Sequence, residues 1–366
     1  MSVRDRASVC SSIVLGAAVL LTWTARPLQA RPLALQETAG DSQVEQPITF
    51  EASVAPEPGE DLAQACTYEL TLVSGSRPLR GVWTIFERSR ETMAYYQDAE
   101  VRAFARRHDL ALLFPRHCPS KSQTGGDMNV NPMKGLGRSL FAALNDLARR
   151  SGHPELASAR LILLGFSGTG SLVGRLAAFA PDRIMAVISG NPGHFEPFGV
   201  DTISLSPDAI TIPHFILVGS ADAVSGTERP YAYFRRHAER GAWWTFVVQN
   251  RVPHCCIMNA KPLILAWLEA IVQPPPTSGE RYGFIRTTPA TDTDCPGQSA
   301  PVRTSWCRAI KDAWGGSNWS VDRAKVERRP RPPQGMVPAG WLPSEAFATQ
   351  WLSFVMEREH PVTLPP

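Results

Sequence analysis

No block of basic residues interrupts this chain, and its charges nearly cancel. Across 366 residues there are 37 Lys plus Arg against 34 Asp plus Glu, a formal charge of +3. A protein that neutralises a phosphate backbone carries a basic patch or stripe, so no nucleic-acid partner is expected. Also missing are the His/Cys spacings of a zinc site, any C-x-x-C pair and any internal repeat. Those absences argue against a structural metal, a thiol redox centre and a solenoid. No apolar stretch reaches the ~20 residues of a comfortable membrane span, so no stable membrane partner is expected. The remainder is an ordinary globular mixture, 43% hydrophobic and 19% charged, with ample material for a large core.

The first 30 residues read as a secretory signal. Arg4 and Arg6 precede an apolar stretch from Ile13 to Trp23, and small residues follow from Ala25 to Ala30 around Pro27. A basic start, a short apolar centre and a small residue at the cut describe an exported precursor, with cleavage near Ala30. An uncleaved anchor is the alternative. Export leads to the expectation of a secreted or periplasmic protein whose remaining cysteines, Cys66, Cys118, Cys255, Cys256, Cys295 and Cys307, form disulfides. Spacing does not give their connectivity. Cys295 with Cys307 is the first expectation, because their region has little else to stabilise it. One of the vicinal pair Cys255–Cys256, bonded to Cys118, would brace the loop that carries them.

Residues 31–64 are polar, proline-containing and without periodicity, as expected of a flexible leader. From Tyr68 short apolar runs alternate with helical patterns. Strands are expected at Tyr68–Val73, Val82–Phe86, Leu110–Phe114, Leu161–Leu164, Ile184–Ser189, Phe215–Val218 and Trp244–Val248. Several are apolar at nearly every position, the pattern of strands covered on both faces. Helices are expected around Leu136–Leu147, after Ser167 to Pro181, through Tyr231–Arg235 and over Leu263–Ile271. Strands alternating with helices predict a doubly wound, mostly parallel α/β sheet, with ligands beyond the carboxyl ends of the strands. The domain proper is placed at 65–273. Residues 274–366, rich in Pro and Trp, read as an extension wrapping it, with one helix capped by Ser344 presenting Phe347, Trp351, Phe354 and Val355.

Within this pattern the segment Leu161-Ile-Leu-Leu-Gly-Phe-Ser-Gly-Thr-Gly170 is a buried strand turning sharply into a helix with Ser167 at the apex. It resembles the nucleophile elbow, G-x-S-x-G, of the α/β-hydrolase superfamily. Gly165 fits that pattern; Thr169 departs from it, with Gly168 and Gly170 on either side. The resemblance implies that an acid and a histidine follow the nucleophile, each after a later strand. The strand "PHFILVG" runs into Asp222, and "WWTFVVQ" runs into a loop bearing His254. Asp201 and Asp208 compete for the acid, and His117, His194, His214 and His237 for the base; His194 also reads as a residue lining the pocket. By the same resemblance the oxyanion hole is made by the amide of Gly168 and one from Glu87 or Arg88. Phe166, His194 and Phe195 would contact substrate.

The resemblance spans Tyr68 to Val272 and is nearest to secreted bacterial esterases of the feruloyl-esterase and polyhydroxyalkanoate-depolymerase kind. It implies hydrolysis of a small-molecule or polymeric carboxylic ester through an acyl-enzyme on Ser167, with no metal or organic cofactor. Three other functions stay open. One is a non-catalytic relative that binds a ligand, and another a peptidase using the same groups. The third is a polysaccharide binder stacking sugars on Trp306, Trp314 and Trp319.

Overall fold

The computed structural model describes residues 47–73, 78–122, 130–193, 205–238, 240–272, 282–286, 324–328 and 340–364. The signal segment lies outside them, as do His194, Phe195, Asp201, Cys295, Cys307, Trp306, Trp314 and Trp319. In chain order the strands and main helices begin with β1 (Ile48–Val54), β2 (Cys66–Leu72) and β3 (Gly81–Ile85). Then come α1 (Arg90–Gln97), α2 (Ala99–Arg107), β4 (Leu110–Arg116), α3 (Leu136–Ser151), β5 (Leu161–Phe166) and α4 (Gly168–Phe179). The chain continues with β6 (Ile184–Gly190), the single turn α5 (Pro207–Ile210), β7 (His214–Gly219), α6 (Glu228–Ala238), β8 (Trp244–Gln249) and α7 (Lys261–Val272). The last are β9 (Tyr282–Arg286), β10 (Ala324–Arg328), β11 (Trp341–Leu342) and α8 (Glu345–Met356). Among the described residues, no helix is long and apolar enough to cross a membrane.

β1 to β8 form one sheet in the order β1-β2-β4-β3-β5-β6-β7-β8. β2 runs antiparallel to β1 and β4, and every pairing from β4 through β8 is parallel. This is the doubly wound, mostly parallel α/β sheet that the sequence predicts. The central strands β3, β5, β7 and β8 are buried at every position, which is why they read as unbroken apolar runs. Each fully buried Leu, Ile or Val contributes about 1.5–3 kcal/mol, so the centre of the sheet is a stiff platform. Functional loops can hang from its rim.

One expectation needs correction, and one stretch holds elements that the sequence expectations omit. The polar leader of 31–64 is not free throughout, because Ile48–Val54 pairs along its whole length with β2, from Ile48 opposite Leu72 to Val54 opposite Cys66. An edge strand needs backbone partners and only a thin apolar face. Ile48, Phe50, Ala52 and Val54 alternate strictly with Thr49, Glu51 and Ser53, the period of a half-buried strand, and Phe50, Ala52 and Val54 form the inward face; the expectation of an aperiodic leader overlooks this signal. The sequence expectations name no element between β3 and β4, where the chain forms α1 and α2; the inward face of α1 mixes Glu91 and Thr92 with Tyr95 and Tyr96, so no apolar stripe marks it.

At the other edge α8 lies against β8, capped by the Ser344 hydroxyl, which accepts from the Phe347 amide at 3.1 Å. Phe347, Trp351 and Val355 are buried, and the Trp351 indole donates to the Phe246 carbonyl. Asn250, just past β8, donates through Nδ2 to the carbonyls of Val355 and Glu357. Its own amide donates to Nδ1 of His360. The tail therefore fastens the rim of the sheet from which the next loop departs.

Candidate active site

β5 enters α4 through a single residue, Ser167, held at φ 55° and ψ −121°. Left-handed φ at a non-glycine residue costs on the order of 1–3 kcal/mol, and the surrounding packing must impose it. Here the Ser167 amide donates to the Gly190 carbonyl at 2.8 Å, and the Gly193 amide donates to the Ser167 carbonyl at 3.2 Å. A side chain at Gly165 would bring its Cβ within 2.1 Å of the Thr169 carbonyl oxygen, so the turn closes only over glycine. Thr169, the departure from the expected pattern, has a positive role. Its buried hydroxyl accepts from the Phe166 amide at 3.0 Å and lies 2.9 Å from the Phe166 carbonyl, to which it donates. A threonine here pins the two sides of the turn together.

β7 and β8 continue their contact past the sheet. The Ser220 amide donates to the Gln249 carbonyl, the Ala221 amide to the Val252 carbonyl and the Arg251 amide to the Ser220 hydroxyl. A Cβ on Gly219 would lie 2.3 Å from the Val252 carbonyl oxygen, so only glycine lets the two segments cross this closely. The crossing brings Asp222 and His254 face to face. The Asp222 side chain is fully buried, and both of its carboxylate oxygens accept hydrogen bonds. Oδ1 takes the amides of Val224 (2.8 Å) and Ser225 (2.9 Å); Oδ2 takes Asn191 Nδ2 (2.9 Å) and His254 Nδ1 (2.7 Å). Burial opposes ionisation, but the bond and charge of His254, with those donors, outweigh it and hold the carboxyl below its usual range.

His254 Nε2 lies 2.9 Å from Ser167 Oγ. An ionised carboxylate only accepts, so Nδ1 carries the imidazole proton and Nε2 presents a lone pair to the serine hydroxyl. Ser225 Oγ, 3.3 Å from Nδ1, flanks the same edge, and the His254 side chain keeps 16% exposure toward solvent. Phe166, expected to contact substrate, packs its ring 5.1 Å from the imidazole and is 5% exposed, so it supports the histidine.

The competing residues sit elsewhere. His214 is buried at the start of β7 against Ser189, and burial together with His237 pushes it down to about 3. His237 is pushed down to about 4 by burial and two neighbouring arginines. His117 and Asp208 are exposed.

The Gly168 amide opens α4 beside Ser167, where the first N–H groups of a helix have no intrahelical partner. The expected second amide needs correction. The Glu87 amide donates to the Pro115 carbonyl and the Arg88 amide to the Thr92 hydroxyl, so turn closure and helix capping use both. The side chain of Arg88 comes close instead, with Nε and Cζ 3.9 Å from where a Cβ on Gly168 would lie. The cysteine expectation also changes. Cys118 pairs with Cys66, because β2 and β4 are antiparallel neighbours whose register sets Thr67 against Arg116 and leaves the two Cα atoms 4.5 Å apart. Cys255 pairs with its neighbour Cys256.

Sequence reasoning missed Asn191 and Ser225. Asn191 is buried with φ 41°, directly after β6 at the ligand-binding rim of the sheet, and donates to the same oxygen of Asp222 that His254 uses. Its position at a strand's carboxyl end was the available signal. Its role depends on a neighbour from a different strand, which spacing does not reveal.

No family model matches the chain, and no curated protein does. Solved structures similar to it include an α/β-hydrolase enzyme from a Medee basin deep-sea metagenome library, at 14% identity and a TM-score of 0.44. That match covers 62% of this chain and 99% of the other. A fluorophosphonate-binding serine hydrolase of Staphylococcus aureus is 11% identical with a TM-score of 0.43, over 62% of this chain and 99% of that one. An S-formylglutathione hydrolase of Agrobacterium tumefaciens is 14% identical with a TM-score of 0.43, over 62% and 95%. Likeness of this degree bears on neither activity nor substrate.

Proposed function

We propose that the chain is a serine hydrolase of the α/β-hydrolase superfamily that cleaves a carboxylic ester through an acyl-enzyme on Ser167. The observation that carries this reading is the unbroken relay from buried Asp222 through His254, at 2.7 Å, to Ser167, at 2.9 Å, on a serine held in left-handed backbone. A serine hydroxyl is a weak nucleophile until a base takes its proton, and this arrangement supplies the base in the required tautomer.

In the proposed cycle Ser167 Oγ attacks the ester carbonyl carbon as its proton passes to His254 Nε2. Asp222 stabilises the imidazolium that forms. Oγ–C bond formation moves a pair of electrons onto the carbonyl oxygen, which faces the Gly168 amide and the guanidinium of Arg88. Each such preorganised donor is worth on the order of 3 kcal/mol. Collapse expels the alkoxide, which takes the proton from His254 and leaves the acyl group on Ser167. Water, deprotonated by His254, then attacks the acyl carbon; collapse breaks the C–Oγ bond, Ser167 Oγ takes the proton back from His254, and the acid departs.

The disulfides Cys66–Cys118 and Cys255–Cys256 support the further proposal that the chain is exported to an oxidising compartment, with cleavage near Ala30. A fluorophosphonate probe, with a panel of p-nitrophenyl esters, tests the activity. Wild type should be labelled and turn over at least one ester, and Ser167→Ala should do neither. An unlabelled wild type would favour a non-catalytic binder.

A further inference from the structure

The turn bearing His254 continues into a buried cluster that the proposed cycle does not use. Glu91, on the first turn of α1, is 4% exposed, and both of its carboxylate oxygens are committed to backbone. Oε1 accepts from the Cys256 amide at 2.8 Å and Oε2 from the Ile257 amide at 2.7 Å. Cys256 has φ 73°, and the residues after it form a short 3-10 turn leading into α7. Burying a carboxylate among apolar neighbours is costly unless its oxygens are satisfied, and here two parallel backbone donors satisfy them.

We infer that Glu91 is a positioning residue for the proposed active site: it holds the Cys256–Ile257 backbone and thereby fixes where the His254 imidazole meets Ser167. The inference rests on the hydrolase reading. Three observations carry it. First, the held residues begin two positions after His254, and the Cys255–Cys256 disulfide closes a ring around the intervening peptide bond, so displacement at Cys256 is passed to His254 with little slack.

Second, Ile257 touches the serine side of the site as well. A Cβ on Gly190 would lie 2.9 Å from Ile257 Cδ1, and the Gly190 carbonyl is the acceptor for the Ser167 amide. One carboxylate therefore sets the distance between the two halves of the relay. Third, the same pair of chain segments is tied again at a distance, where Lys261 at the start of α7 bridges Asp98 and Glu100 at the start of α2, both at 2.8 Å.

The carboxylate and the two sulfurs approach within 4.8 Å of one another. Bonded to each other, the sulfurs present no thiolate, and the carboxylate oxygens face N–H groups. The chemistry of the trio is that of a clamp.

The test is Glu91→Gln, which keeps the shape and one acceptor but turns an amide N–H₂ toward the other backbone donor. Active sites are counted by fluorophosphonate titration, so that kcat refers only to competent molecules. A misplacement of about 1 Å costs ~10²-fold in favourable cases, so kcat per titrated site should fall ~10- to 100-fold with KM changed less than about threefold. The low-field proton resonance of His254 Nδ1–H should broaden or vanish, and the Cys256 and Ile257 amides should exchange faster.

A purely structural role would lower the number of titratable sites and leave both kcat per site and the resonance at wild-type values; that result overturns the inference. Should Glu91→Gln not fold, Cys255→Ser/Cys256→Ser opens the ring with the carboxylate in place. It should lower kcat per site at least fivefold, and wild-type turnover there would equally overturn the proposal. The resonance is readable without turnover. A wild type inert toward every ester would therefore sink the hydrolase reading, while an unmoved resonance in Glu91→Gln would sink this one.

Discussion

Replacing Asp222 by asparagine exchanges one carboxylate oxygen for an amide nitrogen, and the hydrogen bonds around that side chain decide the consequence. With its oxygen toward the amides of Val224 and Ser225, the new side chain keeps both of those bonds and turns its N–H₂ toward His254 and Asn191. Asn191 Nδ2 has a second acceptor 3.4 Å away in the Pro253 carbonyl, so this orientation strands little. The opposite orientation sets N–H₂ against two backbone N–H groups and leaves both buried donors unsatisfied. At about 1–3 kcal/mol for each stranded donor, the first orientation is favoured by ~2–6 kcal/mol.

In that orientation His254 Nδ1 must accept, so Nε2 carries the proton and faces Ser167 Oγ with nothing to receive from it. The productive tautomer then lies ~2–6 kcal/mol uphill, which lowers kcat by ~30-fold to ~10⁴-fold at about 1.4 kcal/mol per tenfold. The upper end is comparable with the ~10⁴-fold loss known for the equivalent change in a related triad. The assay is turnover of a p-nitrophenyl ester near neutral pH, with circular dichroism to show that the variant is folded. A folded Asp222→Asn enzyme within threefold of wild-type kcat would refute the assigned relay.

Gly165→Ala should prevent the elbow from closing, because its Cβ meets a backbone oxygen at 2.1 Å; soluble yield and fluorophosphonate labelling should both collapse. Thr169→Val leaves the buried Phe166 amide without its acceptor, and thermal or denaturant unfolding should register a loss of about 1–3 kcal/mol. Since the folded Asp222 carboxyl is held below its unfolded value, its contribution to stability is complete above about pH 4. That contribution is lost as pH falls through the folded value. Urea midpoints should therefore fall more steeply with acid in wild type than in Asp222→Asn. The Cys66–Cys118 bridge spans 52 residues, so chain entropy predicts that Cys66→Ala/Cys118→Ala costs about 4 kcal/mol, measurable as a lowered urea midpoint with kcat unchanged.

Much of this molecule is written locally. Strands buried on both faces leave unbroken apolar runs, so β3 through β8 and the helices α3, α4, α6 and α7 follow from the order of residues alone. The elbow around Ser167 is equally local, because a strand, a glycine-flanked serine and a helix are consecutive. Asp222 and His254 are legible for the same reason, each following a strand whose end the apolar run defines. The edge strand Ile48–Val54 carries a legible alternation too, but over only seven residues inside a polar, proline-containing stretch, so composition masks it.

Contacts between distant segments were decided only by the folded chain. The Cys66–Cys118 pairing depends on strand register, Asn191 on the meeting of three strand ends, and the Glu91 contacts on a helix that the apolar pattern does not announce. The elbow's Thr169 is legible as a residue but not as a fastener, because its value lies in a hydroxyl that closes a turn. Sequence determines which chemical groups sit at strand ends. Their separation in ångströms is a property of packing, where close approaches at Gly165 and Gly219 and the bonds around Asp222 bring the groups within reach of one another.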